Sequence, residues 1–114
     1  MLNKGIKYKI KKDRHHKTRG GTAQFLELSC GKCGNYVVLY QKDGPGNLLR
    51  LYIDRIIESY LGTELQNFVN KSDLPIFKCP ECDNVMGVPM VYERENRLAF
   101  RLIRGSVTKT KQKD

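Results

Sequence analysis

Four cysteines stand in this chain as two close pairs, Cys30-Gly31-Lys32-Cys33 and Cys79-Pro80-Glu81-Cys82, and the sequence contains no other. A Cys-x-x-Cys tetrapeptide closes into a tight turn that aims both sulfurs at one point, so two such turns supply the four thiolates of a closed, tetrahedral zinc site. Forty-five residues lie between Cys33 and Cys79. That interval is too long for a minimal finger, and any fold of the chain must bring its two ends together. In each turn the chain curls back after the second cysteine so that backbone N–H groups can donate to sulfur. Gly34 suits the left-handed conformation needed there, and Asp83 followed by Asn84 holds the same place with residue types that tolerate it.

Around those turns the pattern predicts an α+β domain, zinc-ribbon-like hairpins clamped by one four-cysteine zinc, with a helical insertion between the knuckles. Ala23–Ser29 leads into the first turn and Tyr36–Gln41 leads out, both short and apolar, so they read as one hairpin. Ile76–Lys78 and Val85–Tyr92 do the same around the second turn, followed by a turn at Glu93–Asn96 and a strand over Arg97–Arg104. Pro89 within that hairpin implies an edge or a bulge. Between the knuckles, Lys42-Asp43-Gly44-Pro45-Gly46 is a break, and Asn47 then caps a predicted helix running to Leu61. Leu49, Tyr52, Ile53, Ile56, Ile57 and Tyr60 recur along it at helical spacing. A capping box at Thr63–Gln66 predicts a second short helix, so the insertion covers about 47–70. The Gly44–Asn47 stretch reads as a loop and helix cap, with an anion on its exposed amides as the alternative.

Charge divides the chain differently. The net charge is +9, but residues 1–23 hold eight Lys or Arg against Asp13 alone, residues 24–104 are neutral, and residues 105–114 carry +2. The sequence thus resolves into a basic arm (1–22), a single zinc-binding domain (23–104) and a basic tail (105–114) with too little apolar content to order. Ile6, Tyr8 and Ile10 alternate with lysines as an edge strand or a disordered arm would, and His15–Gly21 reads as a flexible loop. Lys7, Lys9, Lys11, Lys12, Arg14, Lys17 and Arg19 are the candidate phosphate contacts, with Tyr8 available to stack. Arg94, Arg97, Arg101 and Arg104 extend that surface. The competing reading is a solvated tail. No apolar run follows the charges of Met1–Ile6, and no stretch approaches the ~20 apolar residues that span a bilayer. A reducing, cytoplasmic setting follows, in which paired cysteines favour metal over disulfides.

Cys-Gly-Lys-Cys-Gly and the later Cys-Pro-Glu-Cys resemble the two metal-binding turns of rubredoxins, which implies iron as an alternative to zinc. The separation is longer, Trp is missing, and Asp83 stands where glycine is usual. The chain is more similar to zinc ribbons over Ala23–Gln41 and Ile76–Arg104. A narrower resemblance runs to zinc-tethered β-rich folds such as methionine-R-sulfoxide reductases and Yippee-type proteins, whose intervening stretch is largely strand. The reductases need a further catalytic cysteine, and this chain has none to spare. His15 and His16, the only histidines, lie away from both pairs, and no nucleophile-and-base motif stands out. These features predict a non-enzymatic zinc-binding module with RNA or DNA as partner of the arm. The alternatives are an adaptor docking a protein partner or a second copy on helix 47–61, and a redox protein using iron or thiols.

Overall fold

Residues 47–60 decide the architecture, and they do not form the predicted α-helix. In the computed structural model, which describes residues 9–60 and 70–111, the segment forms a strand, a 3-10 turn and a second strand. In chain order the strands are β1 (Ala23–Cys30), β2 (Tyr36–Asp43), β3 (Arg50–Tyr52), β4 (Ile56–Ser59), β5 (Phe77–Lys78), β6 (Val85–Tyr92), β7 (Arg97–Leu102) and β8 (Val107–Lys111). The 3-10 turn Ile53–Arg55 joins β3 to β4. All strand pairs are antiparallel, in two four-stranded sheets ordered β4-β2-β1-β8 and β3-β7-β6-β5. The fold is therefore β-rich, and the predicted α+β class with a helical insertion is overturned.

The reason lies in what the segment must cover. β3 pairs with β7 in one sheet and β4 with β2 in the other, so the 3-10 turn is the corner where the chain changes sheets. Leu51, Tyr52, Ile53, Arg55 and Ile56 are all buried there. Apolar side chains are thus wanted on more than one side, and the corner shifts the phase of strand alternation, which leaves a three-and-four spacing in the sequence that imitates a helix. The composition favoured strands all along, because Ile and Tyr are enriched in sheets and lose side-chain freedom in helices. The capping box at Thr63–Gln66 and most of its short helix lie outside the described residues. Lys71–Asp73 form a 3-10 turn.

One apolar core joins the sheets. Leu26, Leu28, Val38 and Tyr40 from one sheet cluster with Leu51, Phe77, Met86 and Phe100 from the other. Phe77 and Phe100 stack with ring centroids 5.3 Å apart. The buried Tyr40 hydroxyl accepts the backbone N–H of Tyr52 at 2.9 Å, pinning β2 to β3 across the core. Pro89 behaves as its missing N–H requires: it pairs with Phe100 on β7, while β5 covers β6 only as far as Gly87.

Both basic ends are more ordered than their composition suggests. Val107–Lys111, expected to be disordered, is β8, paired to β1 from Cys30↔Val107 to Leu26↔Lys111. Val107, Thr108 and Thr110 suit an edge strand, and the backbone ladder needs little apolar burial. The first part of the loop expected at His15–Gly21 is instead a short helix, α1 (Arg14–Thr18), because the Asp13 carboxylate accepts the N–H groups of His15 and His16. Just before it, the Gln41 side-chain amide holds both backbone groups of Lys11, accepting from its N–H at 2.8 Å and donating to its carbonyl at 3.0 Å.

Candidate metal centre

Each cysteine pair sits at the tip of a hairpin, β1–β2 for the first and β5–β6 for the second. The two tips are built alike. Cys30 N–H donates to Asn35 and Gly34 N–H returns to Cys30, at 2.8 and 2.9 Å; Cys79, Asn84 and Asp83 repeat both bonds at 2.9 Å. Lys32 and Glu81 each direct a backbone N–H at the sulfur two residues earlier, 3.4 Å away in both cases. Gly34 and Asp83 adopt the left-handed conformation, at φ +80° and +62°, as the sequence predicts. Each tip contributes one buried sulfur, Cys30 or Cys79, and one nearer the surface, Cys33 or Cys82.

The four sulfurs converge. All lie within 4.8 Å of one another, and contacts join the two tips: Cys30 to Cys82 at 3.6 Å and Cys33 to Cys79 at 3.5 Å. Around a tetrahedral zinc with bonds of ~2.3 Å, sulfurs stand about 3.8 Å apart, so the cluster fits a metal ion. Its electrostatics point the same way. Burial disfavours the Cys30 thiolate, but the N–H groups of Cys33 and Lys32, the Asn84 side chain and the Cys82 thiol outweigh it and bring its pKa to about 6. At Cys82 the Asn84 N–H favours ionisation, yet burial and the three neighbouring sulfurs prevail and push it up to about 12. The first sulfur ionises readily and later ones meet the charge already there. A cation in their midst relieves that conflict. Four thiolates would satisfy a structural zinc and leave no open position on it; a rubredoxin-like iron takes the same donors.

Three supports were not legible as such. Asn84 donates its side-chain amide to the Cys30 sulfur at 3.5 Å and to the Ser106 carbonyl at 3.2 Å, so one tip braces the other. Gly31 N–H donates to that same carbonyl at 2.8 Å, and a Cβ on Gly31 would come within 2.9 Å of the Gly105 and Ser106 oxygens. The hydroxyl of buried Ser106, with one proton to give, donates towards the Ile103 carbonyl at 2.6 Å, with the Met86 carbonyl at 3.1 Å sharing it. The turn after β7 thus props the first cysteine tip. Asn84 stood out only as the residue after Asp83; nothing local marks Ser106.

The predicted phosphate contacts divide. Lys9, Lys12, Arg14 and Lys17 are exposed. Lys11 is committed through its ammonium to the Asp54 carbonyl at 2.8 Å, and Arg19 to Glu95 and the Tyr52 hydroxyl at 3.0 and 2.9 Å. Lys7 lies outside the described residues. Arg94, Arg101 and Arg104 are exposed, but Arg97 is buried, held by Asp54 and Glu95 with its guanidinium 3.8 Å from the Tyr52 ring centroid, and cannot join a binding surface. His16 is buried against Asp43 and His15 lies near Glu95. The predicted docking face of a helix over 47–61 is not formed: Tyr52, Ile53 and Ile56 are core, and of that set Leu49 and Tyr60 are exposed.

These groups gather at the far end of the molecule. Ala23↔Asp43 closes the β1–β2 ladder at the end opposite the cysteines, roughly 23 Å away at 3.3 Å per residue. There the Arg55 side chain, 1% exposed, reaches Asp43 through Nε at 2.8 Å and Asp13 through both other nitrogens at 2.6 and 3.0 Å. Among the described residues no helix is long and apolar enough to cross a membrane. No protein-family model matches the chain, and neither does any curated protein or solved structure.

Proposed function

We propose that this chain is a non-enzymatic module, folded around one structural zinc ion, that contacts RNA or DNA through the basic surface remote from that ion. The convergence of four sulfurs from two hairpin tips carries the metal half of the reading. Zinc is preferred to iron because the long separation of the tips, the missing Trp and Asp83 in the second tip depart from the rubredoxin pattern, and elemental analysis of purified protein distinguishes them. The closed donor set supports a structural role, since a catalytic zinc keeps a position for water or substrate. Four unbridged thiols favour a reducing compartment, the cytoplasm. The strands at Arg50–Tyr52 and Ile56–Ser59, where a helix was expected, lessen the difference from zinc-tethered β folds such as the Yippee-type proteins and support that resemblance.

For the nucleic-acid half, the support is a surface rather than a flexible arm. Lys9, Lys12, Arg14 and Lys17 are exposed, and Arg14 also lines an open groove of about 740 Å³ with Arg19, Tyr92 and Arg94, whose wall includes Glu93 and the Arg19-paired Glu95 as well. Basic groups beside an aromatic ring suit a single strand. The test is fluorescence anisotropy with a labelled single-stranded oligonucleotide across a salt series. Affinity should fall steeply with salt, and each lost phosphate contact should flatten the log–log slope by roughly 0.7, so Lys12→Gln/Arg14→Gln/Lys17→Gln flattens it by about 2. Absence of binding at low salt, or a slope indifferent to the triple substitution, refutes this half and leaves the metal half standing.

A further inference from the structure

A small pocket opens where β2, the loop after it and β3 meet, at the end remote from the cysteines. It encloses about 80 Å³ and is lined by Arg19, Lys42 and Arg50 together with Tyr52, Asn47 and Asp43. The three cations are unequally neutralised. Arg19 is held by Glu95. Lys42, 8% exposed, gives its ammonium to the Gly44 carbonyl at 2.7 Å and meets no carboxylate among the described residues. Arg50 lies 4.3 Å over the Tyr92 ring and has no carboxylate partner among the described residues. Asp43 does not serve them, because Arg55 takes one of its oxygens and His16 and Gln41 take the other. Burial first, then the charges of Lys109 and Arg19, opposed by Asp43, push the Lys42 pKa down.

We propose that this pocket binds a phosphomonoester, and that its source is the terminal phosphate of a nucleic-acid strand; the second clause rests on the nucleic-acid reading above. The volume of about 80 Å³ suits a group the size of a phosphate. A terminal phosphate offers three free oxygens and a second negative charge, where an internal diester offers two oxygens and one charge, so only the end group matches several converging cations. Arg19 lines both this pocket and the open groove of Arg14, Tyr92 and Arg94. A strand whose end sits on Lys42 and Arg50 therefore has a basic path out.

The test compares one labelled oligonucleotide carrying a 5′-phosphate, a 3′-phosphate or hydroxyls at both ends, against the full chain and the Arg50→Gln and Lys42→Met variants. A phosphate at one end should tighten binding by about tenfold or more, the worth of a charge-assisted hydrogen bond. Arg50→Gln, at a half-buried site, should abolish that gain and leave the hydroxyl-ended strand bound as before; Lys42→Met should do the same wherever it folds. Equal affinity for all three strands, or an Arg50→Gln loss shared equally by them, overturns the proposal. Titration with inorganic phosphate, followed at the amide resonances of Asn47–Arg50, separates the sources. Shifts there without strand binding keep the phosphomonoester and reject the strand. No shifts and no end-group gain reject both.

Discussion

The molecule is closed at both ends, by sulfur at one and by guanidinium at the other, and the two closures do the same mechanical work with different chemistry. At the cysteine end two hairpin tips, one from each sheet, converge on a single point. At the far end Arg55 binds Asp43 on β2 and Asp13 before α1, while Arg97 on β7 binds Asp54 in the corner between the sheets. Glu95 links Arg97 to Arg19, and Arg19 reaches Tyr52 on β3. No buried side-chain nitrogen or oxygen among the described residues lacks a partner. A metal ion replaces many weak contacts with a few strong ones. The charged end must satisfy every donor and acceptor separately, because a buried charge left alone costs several kcal/mol.

If that contrast holds, the largest effect comes from removing the metal. Structural zinc contributes about 10–16 kcal/mol of apparent folding free energy in small domains, comparable to or above the roughly 5–15 kcal/mol that holds a whole domain folded. A strong chelator, or Cys79→Ser at a fully buried ligand, should therefore abolish the cooperative thermal transition seen by calorimetry. A metal-free chain that still unfolds cooperatively would mean the charged end holds the sheets together unaided. Next in size is Arg55→Met in the metal-loaded protein. It strands the buried Asp43 carboxylate and should cost about 3–5 kcal/mol in urea denaturation. Arg101→Met, on an exposed position of β7, should stay within about 0.5 kcal/mol. Should the two variants prove equally mild, the guanidinium end is decoration and not a clamp.

The two ends also differ in how far the sequence exposes them. The cysteine end was readable because its chemistry is local: in each turn the Cys-x-x-Cys and the Gly34 or Asp83 that follows it announce the turn, its handedness and its donors within five residues. Both hairpins followed from the same signals, as did the turn at Glu93–Asn96 and the edge position of Pro89. The charged end draws on Asp13, Arg19, Asp43, Asp54, Arg55, Glu95 and Arg97, and nothing local says that these meet. In sequence they look like surface charges, so Arg19 and Arg97 passed for phosphate contacts and Asp13 for a stray acid rather than a helix cap. Residues 50–56 misled for a related reason. Arg55 is buried only because two carboxylates meet it, and without that knowledge the corner between sheets imitates one face of a helix.

Acid should separate the closures, with the smallest of these effects. The Arg55 guanidinium beside Asp13 holds its carboxyl well below the usual range, against a counteracting contribution from burial. Burial raises Asp43 and Glu95, but Gln41, Arg55 and His16 at the first, and Arg19 and Arg97 at the second, bring both down. A depressed carboxylate binds fewer protons folded than unfolded, so its stabilisation is complete above the ordinary value near ~4 and drains away as pH falls below it. His15 adds a shallower loss with the same sign: burial lowers its pKa, so protonation favours the unfolded chain as pH drops through about 6.5. Protons also compete with metal for thiolate, so metal release has to be followed in parallel with a chromophoric indicator. Asp13→Asn removes one titrating carboxylate while keeping an N-cap side chain for α1. It should flatten the stability–pH curve below about pH 4 and leave the midpoint of metal release where it was. A wild-type slope in that variant would show that acid acts through sulfur alone. A shifted metal midpoint would show that the two ends, roughly 23 Å apart along β1, are energetically one site.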